Sequence, residues 1–185
     1  MATAADAYEA LVASFKRMHA LEHAESMLMW DQMVHVQPKC APARTASLAE
    51  LGRIKHERQT APELATQLDA CEADIAAGGE LSKDAIKAAN VREMRRVWAE
   101  QNKLPAELVT RQKTAVGQAQ AAWPAAKKAG DWAAFVPHVE KMFAIAQEEG
   151  ELLRKGREAE LPTAYDALLD KWEPGLRAAA VDEHF

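Results

Sequence analysis

From about Ala5 to about Met33 the chain reads as one uninterrupted helix, and a helix of that length dictates what can pack around it. At 1.5 Å per residue it is roughly 40 Å long. Leu11, Met18, Leu21, Leu28 and Met29 share one side, and Val12, His19, His23 and Trp30 form a second stripe beside it. A helix apolar over so wide an arc is usually covered on more than one side. Pro38 and Pro42 then break the chain. No apolar run alternates with the period of a strand, and Gly and Pro number only eight each in 185 residues. The expected fold is all-α: a single helical domain over residues 1–185, about six to eight helices packed antiparallel, with no sheet.

Turn and cap signals divide the remainder. A second helix is expected from Arg44 to about Gln59. Thr60 and Glu63 have the spacing of a capping box, which starts a third helix ending before Gly78-Gly79. Ser82 is placed to cap a fourth helix reaching about Lys103, with Ile86, Val91, Met94 and Val97 as core candidates. Pro105 fits the first turn of a fifth helix extending to about Lys128, and Pro124 within it predicts a kink or break. Asp131 follows a Gly130 turn as a cap, and Pro137 starts or kinks a long helix to about Lys155. Leu161-Pro162 opens a short helix through Leu168 and Leu169, ended by Glu173-Pro174-Gly175, and Arg177–Phe185 begins another.

Composition excludes several classes of function. Hydrophobic residues make up 49% and charged residues 28%, with a net charge of −5 and both signs interspersed. No basic stripe exists, so neither nucleic acid nor an anionic membrane is expected as a partner. No apolar run approaches the roughly 20 residues that span a bilayer. The N-terminus, with Asp6 and Glu9, lacks the apolar stretch of a signal peptide. Cys40 and Cys71 stand far apart, without the pairing of a disulfide framework or a thiolate zinc site. A cytoplasmic location is the expectation.

Residues 19–32 carry the chemistry worth weighing. His19-Ala-Leu-Glu22-His23 spells H-x-x-E-H, the inverted zinc-peptidase pattern. His19 and His23 share a helix face and could reach one metal, with Glu22 activating its bound water. Against this, no third ligand stands out, and packed or surface histidines are the commoner case. Glu25 falls between Met18 and Leu21 on the apolar side of the helix. A buried carboxylate must pair or stay neutral, so it marks a structural salt bridge, a rim position or a polar contact facing a groove. Trp30, Asp31 and Gln32 end the helix, for packing and hydrogen bonding or as groove residues. Asp166 and Asp170 lie four apart beside Tyr165, a spacing that on an exposed helix usually means solvated acids.

Trp30-Asp31-Gln32, preceded by Leu21-Glu22-His23-Ala24-Glu25-Ser26, resembles the N-terminal helix of the carboxypeptidase Taq family of zinc metallocarboxypeptidases. Leu104-Pro105-Ala106-Glu107-Leu108-Val109 agrees in order and spacing. So do Gln120-Ala-Ala-Trp123 with Asp131-Trp132-Ala-Ala-Phe135-Val-Pro137-His138, and Tyr165-Asp166-Ala167-Leu168-Leu169-Asp170 with Glu173-Pro174-Gly175. The resemblance covers about the first third of the family's length. It implies a helical region that walls or lids a long substrate groove and contributes to homodimer contacts. The family's zinc is bound by H-E-x-x-H and a downstream glutamate, and H-E-x-x-H is absent here: His56-Glu57 lacks the second histidine.

Three functions follow as expectations. The first is the helical part of a metallocarboxypeptidase, whose parent reaction releases C-terminal amino acids from peptides. This chain itself would hold no catalytic residue, metal or other cofactor; zinc is implied for the complete enzyme. The second is a non-catalytic module that dimerises or binds a peptide, or a separate catalytic chain. The third, ranked last, is an independent zinc hydrolase using His19, Glu22 and His23. Glu25, Trp30, Asp31 and Gln32 are the candidate groove residues.

Overall fold

Thr3 starts the first helix by capping it from both sides. Its hydroxyl accepts from the Asp6 N–H at 3.1 Å, and the Asp6 carboxylate accepts from the Thr3 N–H at 2.9 Å. In the computed structural model, which describes residues 3–184, helix α1 (Ala4–Val34) is followed by α2 (Ala41–Gln59), α3 (Pro62–Ala76) and α4 (Ala85–Asn102). Then come α5 (Ala106–Ala129), α6 (Trp132–Arg154), α7 (Ala164–Leu169) and α8 (Ala178–Asp182), with 3-10 turns at Pro38–Cys40 and Glu80–Lys83. No strand occurs among the described residues, so the all-α expectation holds. No described helix is long and apolar enough to cross a membrane.

Several caps differ from expectation. Thr60 closes α2 instead of opening α3: its hydroxyl donates to the His56 carbonyl at 2.9 Å, which removes it from the capping box with Glu63. Ser82 lies in the second 3-10 turn, donating to the Gly79 carbonyl, and Asp84 caps α4 by accepting from the N–H groups of Ile86 and Lys87. Pro105 is the cap of α5 and not its first residue. Pro124 and Pro137 break nothing; both lie on exposed faces, where water can satisfy the carbonyl that each proline leaves without its N–H partner. Asp131 caps α6 as expected, and α5 ends at Gly130 with φ +66°, the left-handed turn that glycine adopts without strain. Of the final segment, Phe185 lies outside the described residues.

Two hydrophobic clusters form. The first joins α1, α3 and the front of α4 through Tyr8, Leu11, Met18, Leu64, Leu68 and Val91. Leu11 and Leu68 are fully buried, and each such side chain contributes about 1.5–3 kcal/mol. The second joins the chain at Leu104 to α5, α6 and α7 through Leu108, Ala115, Ile145, Leu153, Leu161 and Ala167. Helix α2 contributes to neither. It packs against α1 and α5 through small residues: a Cβ on Gly117 of α5 would lie 2.6 Å from Thr45 Cγ2 of α2.

The second stripe of α1 is not covered. Val12 packs against the first cluster, whereas His19, His23 and Trp30 are exposed. The neighbouring helices approach from one side only, so the wide apolar arc does not mark a doubly covered helix. Ile86, a core candidate, is 73% exposed on the first turn of α4, while Val91 one and a half turns on is buried.

Asp166 and Asp170 are buried, contrary to the reading of solvated acids. Asp166 forms a capping box with Thr163 and accepts from the Ala178 N–H at 2.8 Å. Asp170 accepts from the Gly175 N–H at 2.9 Å and pairs with Arg157 and Arg177. The Thr163 hydroxyl and the Ala178 N–H hold Asp166 below its ordinary pKa. Burial pushes Asp170 up, but the Gly175 N–H and the two arginines outweigh it, and the net shift is downward. These carboxylates tie the segment from Arg157 to Ala178 together.

The tightest approach in that region is at Gly150 of α6, where a Cβ would sit 2.6 Å from the backbone oxygen of Ala164. A backbone carbonyl cannot swing aside as a flexible side chain does. Gly150→Ala is expected to lower stability by about 1–3 kcal/mol, an overpacking cost read from the midpoint of urea denaturation.

Candidate functional site

The polar residues singled out on α1 meet α2 and α5 along a seam. By helix geometry Glu22, Glu25, Met29 and Gln32 share one face of α1, within roughly 80° of arc. Glu25 is 4% exposed. Its Oε2 accepts from Lys55 Nζ of α2 at 2.8 Å, and its Oε1 lies 3.2 Å from Lys113 Nζ of α5. Lys55 also reaches Glu22 at 3.5 Å. Gly52 of α2 leaves the room this needs: a Cβ there would meet the stem of Lys113 at 3.2 Å and Glu25 Oε1 at 3.5 Å. Burial pushes the Glu25 carboxyl up, yet the two lysines outweigh it and its pKa lies below its ordinary value.

Two turns further along, Gln32 Nε2 donates to Gln120 Oε1 of α5 at 3.3 Å. Between these layers Met29, Leu48, Lys113, Val116 and Gln120 line an open cleft of about 270 Å³. Asp31 is turned toward the start of α2, where its carboxylate pairs with Arg44 at 2.5 Å. The same guanidinium donates to the Leu28 carbonyl at 3.1 Å, so Arg44 braces the last turns of α1 across the Pro38 corner. Trp30 lies roughly 140° round the helix from Glu25. It is 48% exposed and meets the His35 ring edge-on at 5.0 Å.

The four groove candidates therefore do not converge. Glu25 and Gln32 face the seam, Asp31 holds the α1–α2 corner, and Trp30 points away from both. Sequence reasoning required a partner for a buried Glu25 but could not choose Lys55 and Lys113 among 23 cations. Gly52 carried a usable signal, since a lone glycine inside a helical pattern marks a close approach.

His19 and His23 are both exposed. His19 Nδ1 lies 3.8 Å from Glu22 Oε2, and Glu22 is also engaged with Lys55. Among the described residues no three His, Cys, Asp or Glu side chains stand together as a metal site would require. The described residues therefore do not assemble a catalytic zinc site. The seam offers amide and ammonium groups along a cleft, suited to hydrogen bonding with a polypeptide, and no activated nucleophile or paired acid and base.

Because Glu25 has a depressed native pKa, its contribution to stability is present above its ordinary value of 4.5 and is lost as the pH falls through the native value. Glu25→Gln should lower stability at pH 7 by about 2 kcal/mol, with two lysines left facing a neutral amide. It should also flatten the loss of stability of the parent protein below about pH 4.5, as followed by urea denaturation at a series of pH values.

Comparison with known proteins places this architecture. The family model for the carboxypeptidase Taq (M32) metallopeptidases matches residues 10–185. The chain is 30% identical over 181 residues to thermostable carboxypeptidase 1 of Thermus thermophilus, covering 93% of this chain and 34% of that protein. The corresponding protein of Pyrococcus furiosus is 29% identical over 175 residues, with 95% and 33% covered. The structure of metallocarboxypeptidase 1 from Trypanosoma cruzi superposes with a TM-score of 0.73 at 30% identity, covering 96% of this chain and 34% of that one. The chain thus spans about a third of the length of these relatives, corresponding to their N-terminal part. It belongs to the carboxypeptidase Taq family of metallopeptidases.

Proposed function

We propose that this chain serves as the N-terminal helical part of a zinc metallocarboxypeptidase, acting on peptides together with a polypeptide that carries the zinc site. The parent reaction is the hydrolytic release of C-terminal amino acids. One observation carries the reading: the family match runs along nearly the whole chain, yet no three metal-ligating side chains gather among the described residues. In this reading the α1–α2–α5 seam forms part of a groove wall. Lys113, Gln112 and Gln120 border its cleft, while Glu25, Asp31 and Gln32 hold the helices in place. Cys40 and Cys71 are free thiols, in keeping with a reducing cytoplasm.

A non-catalytic peptide-binding or partner-binding module is the second reading. It is favoured by the exposed aromatic rings of Trp132, Tyr165 and Trp172, the last of them 83% exposed.

The test is a carboxypeptidase assay of the 185-residue protein with added zinc or cobalt. No turnover above background is expected. Robust turnover that disappears in His19→Ala would overturn the reading and install the histidines of α1 as a metal site.

A further inference from the structure

Arg17 of α1 and Arg58 near the end of α2 make no ion pair and no side-chain hydrogen bond among the described residues. Every other arginine of the chain pairs with a carboxylate. Both of the unpaired arginines line one cleft of about 190 Å³, where α1, the end of α2 and the start of α3 meet. Ser14, Glu63 and Gln67 line it as well, and among the described residues no hydrogen bond or ion pair engages their side chains. Glu63 thus borders the same cleft as two free guanidinium groups and pairs with neither. The Gln67 Oε1 is buried and has no donor, which costs free energy until a donor is supplied. Met18 and Leu64, both buried, give the cleft an apolar wall.

We propose that this cleft binds a free α-amino acid, its carboxylate held by Arg17 and Arg58 and its ammonium by Glu63. The open donors and acceptors divide in that way. Two guanidinium groups call for an oxyanion, whereas a carboxylate and a buried amide oxygen call for an N–H donor. The start of α3 strengthens the first requirement. Ala61 stands at its cap and no side chain accepts from its first-turn N–H groups, because Thr60 bonds back to the His56 carbonyl. A simple anion would be repelled by Glu63 and would leave Gln67 unanswered. A simple amine would leave both arginines without a partner. An α-amino acid carries both charges on one carbon and leaves its side chain for the wall of Met18 and Leu64.

The size of the cleft limits the ligand. Pockets for drug-sized molecules begin at about 300 Å³, and this one is smaller. Small and medium aliphatic amino acids are the class it takes. Arg17, Arg58 and Glu63 are exposed, so water and salt screen them and binding is weak and readily reversible. The assignment rests on these residues alone and stands whether or not the peptidase reading does.

The test is an NMR titration of the purified protein with L-alanine to about 50 mM at constant ionic strength, read from backbone amide shifts. Saturable shifts are expected at Ser14, Glu63 and Leu64. N-acetyl-L-alanine lacks the ammonium and L-alaninamide lacks the carboxylate, and each should bind more weakly by about tenfold or more. Arg58→Gln should weaken L-alanine by about tenfold or more, and Glu63→Gln should abolish the preference for L-alanine over N-acetyl-L-alanine. Circular dichroism should be unchanged in both, because both positions are exposed. Lys127→Gln, in the last turn of α5, should alter neither result. The absence of saturable shifts at those amides would overturn the proposal. So would N-acetyl-L-alanine binding as tightly as L-alanine, the mark of a simple anion site, or L-alanine binding that ignores both substitutions.

Discussion

The Glu25 carboxylate, sealed between Lys55 and Lys113, is costly to bury and costlier to leave without a partner. Helices α1, α2 and α5 are arranged around that requirement. Gly52 keeps the backbone of α2 low enough for the Lys113 stem to pass over it. Gly117 lets α5 close on Thr45 of α2. Once the three helices lie at that spacing, Gln32 reaches Gln120 and a cleft opens between α1 and α5. An apolar isostere at position 25 could stabilise the seam as well, but it would not select which two lysines face it. The ion pairs thus add specificity of packing more than raw stability.

Much of this fold is legible in the sequence because helix signals are local. The length of α1, the Gly130 turn, the Asp131 cap and the helical character of every segment follow from spacing and propensity. What is not legible depends on competition between neighbours. Thr60 could bond forward to α3 or back to α2, and the backward bond prevails. Asp166 and Asp170 carry the pattern of solvated acids, and only the return of Gly175, Arg177 and Ala178 onto them makes them interior. The exposed stripe on α1 has the same cause: an apolar arc states that a face wants cover, not that the fold supplies it.

The site shows the same division. The family resemblance is legible in short motifs spread along the chain, all of them within the matched residues 10–185. Their physical roles here are mostly architectural. The Trp-Asp-Gln segment braces a corner and a seam through Asp31 and Gln32, and the Tyr-Asp-Ala-Leu-Leu-Asp segment fastens a loop through its two aspartates. The H-x-x-E-H pattern, by contrast, has the spacing of a metal site, but no third donor joins it among the described residues.

Helix α2, which belongs to neither hydrophobic cluster, gives the molecule a joint of unlike chemistry. The clusters on either side are held by apolar burial, which answers to temperature and denaturant. The joint is held in part by carboxylate–ammonium pairs, which answer to protons. Acid therefore slackens this joint, and with it the hold of Asp166 and Asp170 on the segment from Arg157 to Ala178. The pH of the solution, more than its temperature, thus sets how firmly α2 ties the α1 wall to the α5 wall.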